Sequence, residues 1–235
     1  MKKILIFTGA GVDKESGIET FRDSKDGLWN NYKIEDVATI GGWRKDKQKV
    51  LDFYNERRRQ LDTVLPNIAH MIISDLEKDF DVTVVTQNVT DLHERAGSTN
   101  VIHLHGELKR SKSTFPGSQE THDCFEDIKI GDKCSRGSQL RHNICFFGEN
   151  LNPKFIERAE EAAYECDVCV IVGTSMQVAP ANQIPFLTKP NTLIYVVDPS
   201  DMDFYVDKQR RPFLTHIQEV ASVGMEKVKN DLINL

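Results

Sequence analysis

The sequence predicts an α/β protein built on a doubly wound, Rossmann-like parallel sheet that carries a smaller inserted second lobe. Three observations predict this class. Apolar, β-rich runs recur along the 235 residues, helical patterns separate them, and a glycine turn follows the first run. Several runs are continuously apolar, as expected of parallel strands that are buried on both faces. Strands that alternate with helices favour a parallel sheet.

The individual elements follow from these runs in chain order. Apolar β-rich runs predict strands at 4–7, 82–85, 101–104, 144–147, 168–172 and 193–197. Helical spacing of apolar residues predicts helices at 47–61, 67–78, 153–165 and 219–234.

Two segments leave this alternation and predict the second lobe. Residues 25–66 contain no clear strand, so helices are the only order expected there, and residues 109–142 are polar and rich in Gly, Ser, Lys and Asp. The Rossmann-like domain would then comprise 1–24, 67–108 and 143–235. The cleft between this domain and a lobe made of 25–66 and 109–142 is the expected ligand site.

Composition and charge exclude several classes of protein. The formal net charge is −6, which argues against nucleic acid as a partner because phosphate binding needs a clustered basic excess. No apolar stretch is long enough to span a bilayer, so we expect no membrane partner. The five cysteines, an odd number, fit a reducing compartment better than a disulfide framework, and we expect a cytoplasmic protein.

A glycine loop follows the first predicted strand. Gly9, Ala10 and Gly11 allow a tight turn and a close approach to a diphosphate, which the amides of the next helix would face. The alternative is a turn without a ligand. Phe21 and Arg22 favour a ligand, because an aromatic ring can cover a ribose while a guanidinium contacts a phosphate. The alternative for Arg22 is a surface salt bridge.

Polar side chains are concentrated at residues 86–98 and 101–106, at the ends of two strand-like runs. They include three histidines, His93, His103 and His105. Polar residues at strand ends are the usual material of a ligand site in an α/β fold, and we expect them outside the core.

These motifs, in this order, resemble those of the sirtuins, the NAD-dependent protein lysine deacylases. The resemblance implies a Rossmann-like fold with a small lobe, NAD as cofactor and acyl-lysine proteins as substrates. The implied products are free lysine, nicotinamide and O-acyl-ADP-ribose. His105 matches the general base, and an imidazole suits this role because its pKa lies near neutrality. Asn88 matches the residue that orders the ribose and a catalytic water, and His103 is expected to be structural.

The resemblance implies two further sets of site residues. The cofactor would contact Gly9, Ala10, Gly11, Phe21, Arg22, Gln87, Asn88, Gly173, Thr174, Ser175 and Asp198. The acyl-lysine would contact Tyr54, Arg57, Phe147, Gly148 and Glu149.

The sequence is most similar to the short bacterial and mitochondrial-type branch, in which a Tyr and an Arg bind succinyl or malonyl groups. Here these are Tyr54 and Arg57, which share one helix face at i and i+3. A guanidinium can hold a carboxylate by two hydrogen bonds while the phenol adds a third. We expect Arg58 and Arg59 to lie on a solvated, basic face of this helix.

Besides Asp198, which stands where the sirtuin pattern usually has an Asn, Thr90 and Asp13 depart from that pattern. Thr90 occupies the position of an Asp that binds the nicotinamide carboxamide, and a hydroxyl is shorter and uncharged. From sequence alone we expect Thr90→Asp to speed nicotinamide release. Asp13 occupies the position of a Ser in the glycine loop. Because a diphosphate would repel its carboxylate, we expect Asp13 to cap the helix or point outward.

The paired Cys-x-x-Cys motifs of a structural zinc are missing. Cys124 and Cys134 are weak candidate ligands, which His122 and His142 would have to complete, and the spacing matches no usual zinc site. We therefore expect no tightly bound zinc.

Three functions stay open at this point. The favoured one is a deacylase acting as deacetylase, desuccinylase or demalonylase. The alternatives on the same fold are an NAD glycohydrolase or ADP-ribosyltransferase, and a catalytically weak NAD- or ADP-ribose-binding protein. The segment at 147–149 favours the first, because a pure hydrolase needs no acyl-lysine channel.

Overall fold

The computed structural model describes residues 1–18, 32–201 and 213–234. Within them the strands are β1 (Lys3–Thr8), β2 (Asp81–Thr86), β3 (Val101–His103), β4 (Gly106–Ser113), β5 (Thr121–Asp123), β6 (Leu140–Ile144), β7 (Val168–Val172), β8 (Leu193–Val197) and β9 (Leu214–Ile217). The α-helices are α1 (Ala10–Lys14), α2 (Ile34–Val37), α3 (Ile40–Lys45), α4 (Lys47–Leu61), α5 (Ile68–Asp75), α6 (Leu92–Ala96), α7 (Pro153–Glu165) and α8 (Ala221–Ile233), with 3₁₀ turns at Leu76–Lys78 and Ala181–Leu187.

Six parallel strands form the main sheet in the order β3-β2-β1-β7-β8-β9. The strand order reverses beside β1, the central strand, which is the place where doubly wound folds bind ligands. The register places Thr8 beside Thr86 on one side and beside Val172 on the other. The carboxyl ends of these three strands are therefore level, and the loops that follow them meet at one edge.

Alternate residues of β1 face opposite sides of the sheet and give it two apolar layers. Ile4 and Ile6 pack with residues of α1, α5 and α8, whereas Leu5 and Phe7 pack with α7 and the 3₁₀ turn at Ala181–Leu187. All four side chains are buried. Helices on both faces explain why the strand runs are apolar without alternation, and the predicted doubly wound fold is confirmed.

Most predicted elements of the main sheet are observed near their expected limits. Helices α4 and α7 match the predicted ranges, and Asn67 caps α5 through a capping box with His70. The strand predicted at 144–147 is wrong as a strand of the main sheet. Its first residue ends the antiparallel strand β6, and Phe147 then makes an isolated bridge to Thr39. Strand β9 was not predicted because Thr215 and His216 interrupt its apolar run.

A separate apolar cluster joins α2, α3 and α4 to a three-stranded antiparallel sheet of order β5-β4-β6. Its buried residues include Trp43, Phe53, Leu108 and Phe146. The polar segment 109–142 thus contains strands. In β4 its buried residues, such as Ser111, are separated by partly buried ones.

Arg58 is buried at 1% exposure, so the expected solvated position is wrong for this residue. Its guanidinium donates to the backbone carbonyls of Leu108, at 2.7 Å, and of Glu126. Asn55, one turn earlier, donates to the carbonyl of Ile128 and accepts from its amide, both at 2.9 Å. Helix α4 therefore holds β4 and the segment after β5 by side chains.

No helix in the described part of the chain is long and apolar enough to cross a membrane.

We expect Arg58→Ala to lower the free energy of unfolding by about 3 kcal/mol or more, because each buried carbonyl that loses its donor costs roughly 1–3 kcal/mol. Denaturant titration measures this change. The matched control is Arg59→Ala, which removes an exposed ion pair with Asp127 and should change stability by less than about 1 kcal/mol. Equal losses in the two variants would contradict the assigned role of Arg58.

Candidate active site

The glycine loop packs directly on the segment that follows β7. The amide of Gly9 donates to the carbonyl of Val172 at 3.1 Å, and that of Gly11 donates to the carbonyl of Gly173 at 2.8 Å. A Cβ on Gly11 would lie 2.7 Å from Cα of Gly173, and one on Gly9 would lie 2.6 Å from Cβ of Thr174. Gly173 itself has a φ of +59°. Glycine is therefore required at these positions for the glycine loop to pack on the segment after β7, whether or not these residues also contact a ligand.

The loop after β2 joins this turn through its amide side chains. Asn88 donates from Nδ2 to the carbonyl of Gly9 at 2.9 Å, and its own backbone amide donates to Oγ1 of Thr86 at 3.0 Å. The hydroxyl of Thr174 donates to Oε1 of Gln87 at 2.8 Å. The predicted ribose-binding residues Gln87, Asn88 and Thr174 are therefore brought together around the glycine loop.

The ring of His105 is oriented by a single hydrogen bond. Its Nδ1 lies 2.9 Å from the carbonyl of Gln87. Since a carbonyl only accepts, Nδ1 carries the proton and Nε2 keeps a lone pair. Within the described residues Nε2 has no hydrogen-bond partner. Burial lowers the pKa of His105 below its ordinary value, and the Gln87 carbonyl opposes the shift only in part.

His103 has the opposite electrostatic character. Its Nδ1 lies 3.1 Å from the carbonyl of Asn88 and its Nε2 lies 2.7 Å from Oε1 of Glu94. Burial alone lowers the pKa of His103, but the hydrogen bond and charge of Glu94 outweigh it and raise the pKa. Two acceptors suit a protonated ring, which can donate at both nitrogens and cannot accept a further proton. His103 is therefore a satisfied structural residue.

His93 was expected outside the core, and this is wrong. It has 0% exposure, and burial lowers its pKa well below the ordinary value. Its Nε2 lies 3.0 Å from Oγ1 of Thr8, and its ring packs edge-on against that of His70 with centroids 4.8 Å apart. His93 thus belongs to the polar packing beneath the site.

Asp13 neither caps a helix nor points outward, so both expected positions are wrong. It has 2% exposure, and its Oδ1 lies 3.0 Å from Nε2 of His70. Its Oδ2 accepts a hydrogen bond of 2.9 Å from Oγ1 of Thr90. Asp13 and Thr90, which both depart from the sirtuin pattern, are therefore in contact. His70 was missed in the sequence, although its spacing from Asn67 is that of a capping box.

The other described residues that were predicted to contact the cofactor also lie at this edge of the sheet. Gly173, Thr174 and Ser175 follow β7, and Asp198 directly follows β8. Oδ1 of Asp198 accepts from the amide of Ser200 at 2.9 Å. Phe21 and Arg22 lie outside the described residues.

Comparison with known proteins identifies the family. The model of the Sir2 family matches residues 9–180, which include the glycine loop, the loop after β2 and the segment after β7. The chain belongs to the Sir2 family of NAD-dependent protein deacylases.

Two curated relatives match the Sir2 chain over nearly its whole length. An NAD-dependent protein deacylase of Bacteroides thetaiotaomicron is 42% identical over 238 residues, which cover 99% of this chain and 99% of the relative. One of Helicobacter pylori is 45% identical over 235 residues, which cover 100% of this chain and 99% of the relative.

Solved structures agree. A variant Sir2 homologue in complex with ADP-ribose has a TM-score of 0.85 at 36% identity, covering 99% of this chain and 93% of that chain. A Sir2 homologue in complex with NAD has the same score and identity and covers 99% and 90%. The resemblance, the Rossmann-like fold with a small lobe and the NAD cofactor are confirmed.

In this Sir2 chain Tyr54 and Arg57 are both buried on α4. The Tyr54 ring lies 5.8 Å from that of Phe146, and the Arg57 guanidinium lies 4.7 Å from the Phe53 ring. Burial raises the pKa of Tyr54 far above its ordinary value, while the nearby charges of Arg141 and Arg57 oppose the shift. Arg57 thus lies near enough for its charge to act on the Tyr54 phenol, in a buried setting that also contains the charges of Arg141 and Glu149.

The segment Phe147-Gly148-Glu149 is held by backbone contacts on one side and by ion pairs on the other. Phe147 exchanges backbone hydrogen bonds with Ala38, at 2.9 Å, and Ile40, at 3.1 Å, and its ring is exposed. A Cβ on Gly148, whose φ is +88°, would lie 3.2 Å from Ile40.

The carboxylate of Glu149 is engaged within the protein. It accepts from the amide of Phe146 at 2.9 Å and pairs with Arg141 and Lys112. Although burial alone raises the pKa of Glu149, Arg141 and these contacts lower it overall. These contacts tie the segment 147–149 to β4 and β6.

The weak candidate zinc ligands have different partners and do not share one site. Sγ of Cys134 accepts from Oγ of Ser113 at 3.1 Å, and Sγ of Cys124 lies 3.2 Å from Nη1 of Arg58. His142 is buried, and burial lowers its pKa to about 2. His122 pairs with Glu120 at the surface. Across residues 1–18, 32–201 and 213–234, no three His, Cys, Asp or Glu side chains converge on a metal position.

A cavity of about 220 Å³ lies at the opposite edge of the main sheet. It is lined by the first residues of β1 and β2, Lys3 and Asp81, and by Arg158 and Glu165 of α7. None of the predicted site residues lines it, and the convergent polar groups lie at the carboxyl ends of the strands, where ligands bind in this architecture. We therefore assign the site to the carboxyl edge.

We expect Gly11→Ala to lower the free energy of unfolding by about 1–3 kcal/mol, because its Cβ would overlap the backbone of Gly173. The displaced loop should also weaken ADP-ribose binding, measured by calorimetry. Gly41→Ala is the control, since its Cβ would meet only Oγ1 of Thr39 at 3.5 Å. Unchanged stability and affinity in Gly11→Ala would show that the contact with Gly173 does not hold the loop.

Proposed function

We propose that this Sir2 chain removes acyl groups from lysine side chains of proteins, with a preference for acidic acyl groups, at the carboxyl edge of the main sheet. The observation that carries the proposal is the placement of His105. Its Nδ1 is bound to the Gln87 carbonyl, its Nε2 keeps a lone pair, and Asn88 lies one residue from that carbonyl. The proposed base therefore lies next to Gln87 and Asn88, and Asn88 holds the glycine loop through the carbonyl of Gly9.

The chain's own residues fit an NAD molecule. In the first turn of α1 the amides of Gly11 and Val12 donate to the carbonyls of Gly173 and Gly9. Among the described residues the amide of Ala10 has no acceptor, and it lies at the switch point of the sheet. Oδ1 of Asn88 has no hydrogen-bond partner among the described residues, and Asp198 stands at the end of the next strand. When bound, NAD would supply an electrophilic ribose carbon that the acyl oxygen attacks as nicotinamide leaves. Gly9, Ala10, Gly11, Gln87, Asn88, Thr174, Ser175 and Asp198 would hold it, with Phe21 and Arg22 assigned by resemblance.

His105 would accept a proton from a ribose hydroxyl at Nε2. Because its pKa is lowered by burial, the ring is neutral at pH 7 and able to accept. Once it is protonated, the Gln87 carbonyl accepts from Nδ1 and stabilises the positive charge. His103 does not suit this role, since both of its nitrogens are committed.

Tyr54 and Arg57 would recognise the far end of an acidic acyl chain. Both lie on one face of α4, and their side chains are close enough for the charge of Arg57 to act on the Tyr54 phenol. Arg141, the other guanidinium near this phenol, is already paired with Glu149. A carboxylate that enters this buried setting would gain from a charge-assisted hydrogen bond that solvent screens little.

One assay tests the proposed function. The chain is incubated with NAD, with and without succinyl-, malonyl- and acetyl-lysine peptides, and nicotinamide and O-acyl-ADP-ribose are measured. Release that depends on an acyl peptide supports the proposal. Release without peptide indicates a glycohydrolase or ADP-ribosyltransferase, and binding of NAD with no release indicates a sensor.

We expect Arg57→Ala to lower kcat/KM for succinyl-lysine peptides by about 10- to 100-fold, since a hydrogen bond to a charged group contributes roughly 1.5–3 kcal/mol. Acetyl-lysine activity should change by less than about threefold, because that acyl group carries no charge. The matched control is Arg59→Ala, two residues along α4 and exposed. Equal losses for both acyl groups in Arg57→Ala would overturn the acidic preference.

The pH dependence of the reaction should report His105. Its pKa is lowered, so kcat/KM should be flat above pH 7 and fall in acid, with a midpoint below the ordinary histidine value of about 6.5. His105→Ala should lose about 100-fold or more. His103→Gln, the control, should keep the acid limb. An acid limb that survives in His105→Ala would assign the base to another group.

We also place the chain in the cytoplasm. All five cysteines are free thiols, which a reducing compartment preserves. Fractionation of cells that produce the chain tests this, and recovery from an oxidising compartment would contradict it.

A further inference from the structure

The contact between Asp13 and Thr90 has a defined direction of proton donation. The backbone amide of Asn67 donates to Nδ1 of His70 at 3.3 Å, so the proton of this neutral ring is on Nε2. Nε2 then donates to Oδ1 of Asp13. The carboxylate of Asp13 is thus an acceptor, and the hydroxyl of Thr90 gives its only proton to Oδ2.

A hydroxyl whose proton is committed can only accept further hydrogen bonds. Thr90 is buried, lies two residues after Asn88 and shares a loop with it. Asn88 contacts Gly9, at the N-terminal end of α1, while Thr90 contacts Asp13, one helical turn further along. The loop is therefore fixed to α1 at two points, and the Thr90 oxygen is fixed relative to the site.

A carboxamide can donate to a hydroxyl oxygen that only accepts hydrogen bonds. Its NH₂ group donates two hydrogen bonds, and a hydroxyl that only accepts can receive one of them. Had the hydroxyl been free to rotate, it could equally have offered its proton, and the preference for a donor would be lost. Asp13 removes this freedom.

We propose that Asp13 and Thr90 form one unit at the nicotinamide end of the site, in which Thr90 accepts a hydrogen bond from the carboxamide of NAD and Asp13 is the positioning residue that orients it. This rests on the proposed function only in placing NAD at the carboxyl edge. The pair contains one carboxylate and one hydroxyl, at positions where the sirtuin pattern has a hydroxyl and a carboxylate. Relative to that pattern, this chain has the carboxylate at position 13 and the hydroxyl at position 90, so the two kinds of group have exchanged positions.

The exchange reverses the expectation drawn from sequence for Thr90→Asp. That substitution would place two carboxylates side by side in a buried setting, where one must take up a proton or move away. Exchanging both residues, in Asp13→Ser/Thr90→Asp, keeps one carboxylate and one hydroxyl in contact. The double variant should therefore recover what Thr90→Asp loses.

The experiment compares wild type, Asp13→Ser, Thr90→Asp, the double variant and Thr90→Val in the full chain. Calorimetry measures affinity for NAD and for ADP-ribose, which lacks nicotinamide, and thermal unfolding reports folding. Thr90→Val, which is nearly isosteric, should weaken NAD binding by about 3- to 10-fold and leave ADP-ribose binding within about twofold. Thr90→Asp should lose more NAD affinity, and the double variant should return to within about threefold of wild type.

Two results would overturn the proposal. One is an equal effect of Thr90→Val on NAD and ADP-ribose, or none on either, which would make Thr90 structural only. The other is a double variant no better than Thr90→Asp, which would show that the residues act independently. A wild-type chain that binds NAD but does not deacylate overturns the proposed function instead, and the comparison of affinities still decides the role of the pair.

Discussion

Burying the carboxylate of Asp13 would cost several kcal/mol if its oxygens had no donors, and both of them have one. His70 donates to one oxygen and Thr90 to the other, so α1, α5 and the loop after β2 meet at a single charge. A polar chain continues from this charge below the site. It runs through the rings of His70 and His93 to the hydroxyls of Thr8 and Thr86, and ends at the amide of Asn88.

The small lobe is held by side chains that donate to the backbone. Arg58 and Asn55 reach from one helix to β4 and to the segment after β5, and Ser113 bonds Cys134 at the far end of the same sheet. In a segment with so few apolar residues, a bound metal could hold the strands together through its ligands. Here the buried side chains of Arg58 and Asn55 donate to backbone carbonyls of the segment. Because a buried carbonyl without a donor costs free energy, other arrangements of these strands are disfavoured.

Three histidines at the ends of neighbouring elements have three different protonation behaviours, which their surroundings determine. His93 is fully buried, and burial lowers its pKa, with smaller contributions in the same direction from His70 and His103. His103 lies against a carboxylate, which raises its pKa. His105 is partly exposed and bound to one carbonyl, which leaves one nitrogen able to accept a proton. Only the last combination suits a general base at neutral pH.

The sequence by itself determined the elements whose evidence is local. Helices α4 and α7 agree with their predicted ranges because apolar spacing and the caps Asp46 and Asn152 lie within or beside each segment. The strands of the main sheet were visible as continuous apolar runs. The ordered motifs were enough to indicate the family and the set of residues at the carboxyl edge.

The tertiary structure alone decided which of these residues touch. Asp13 and Thr90 are 77 positions apart, and each appeared in the sequence as an isolated departure. Arg58 and Arg59 are neighbours of the same type, yet one is buried and the other pairs at the surface. Helix and strand patterns depend on neighbouring residues, whereas burial, charge pairing and proton direction depend on segments that only folding brings together.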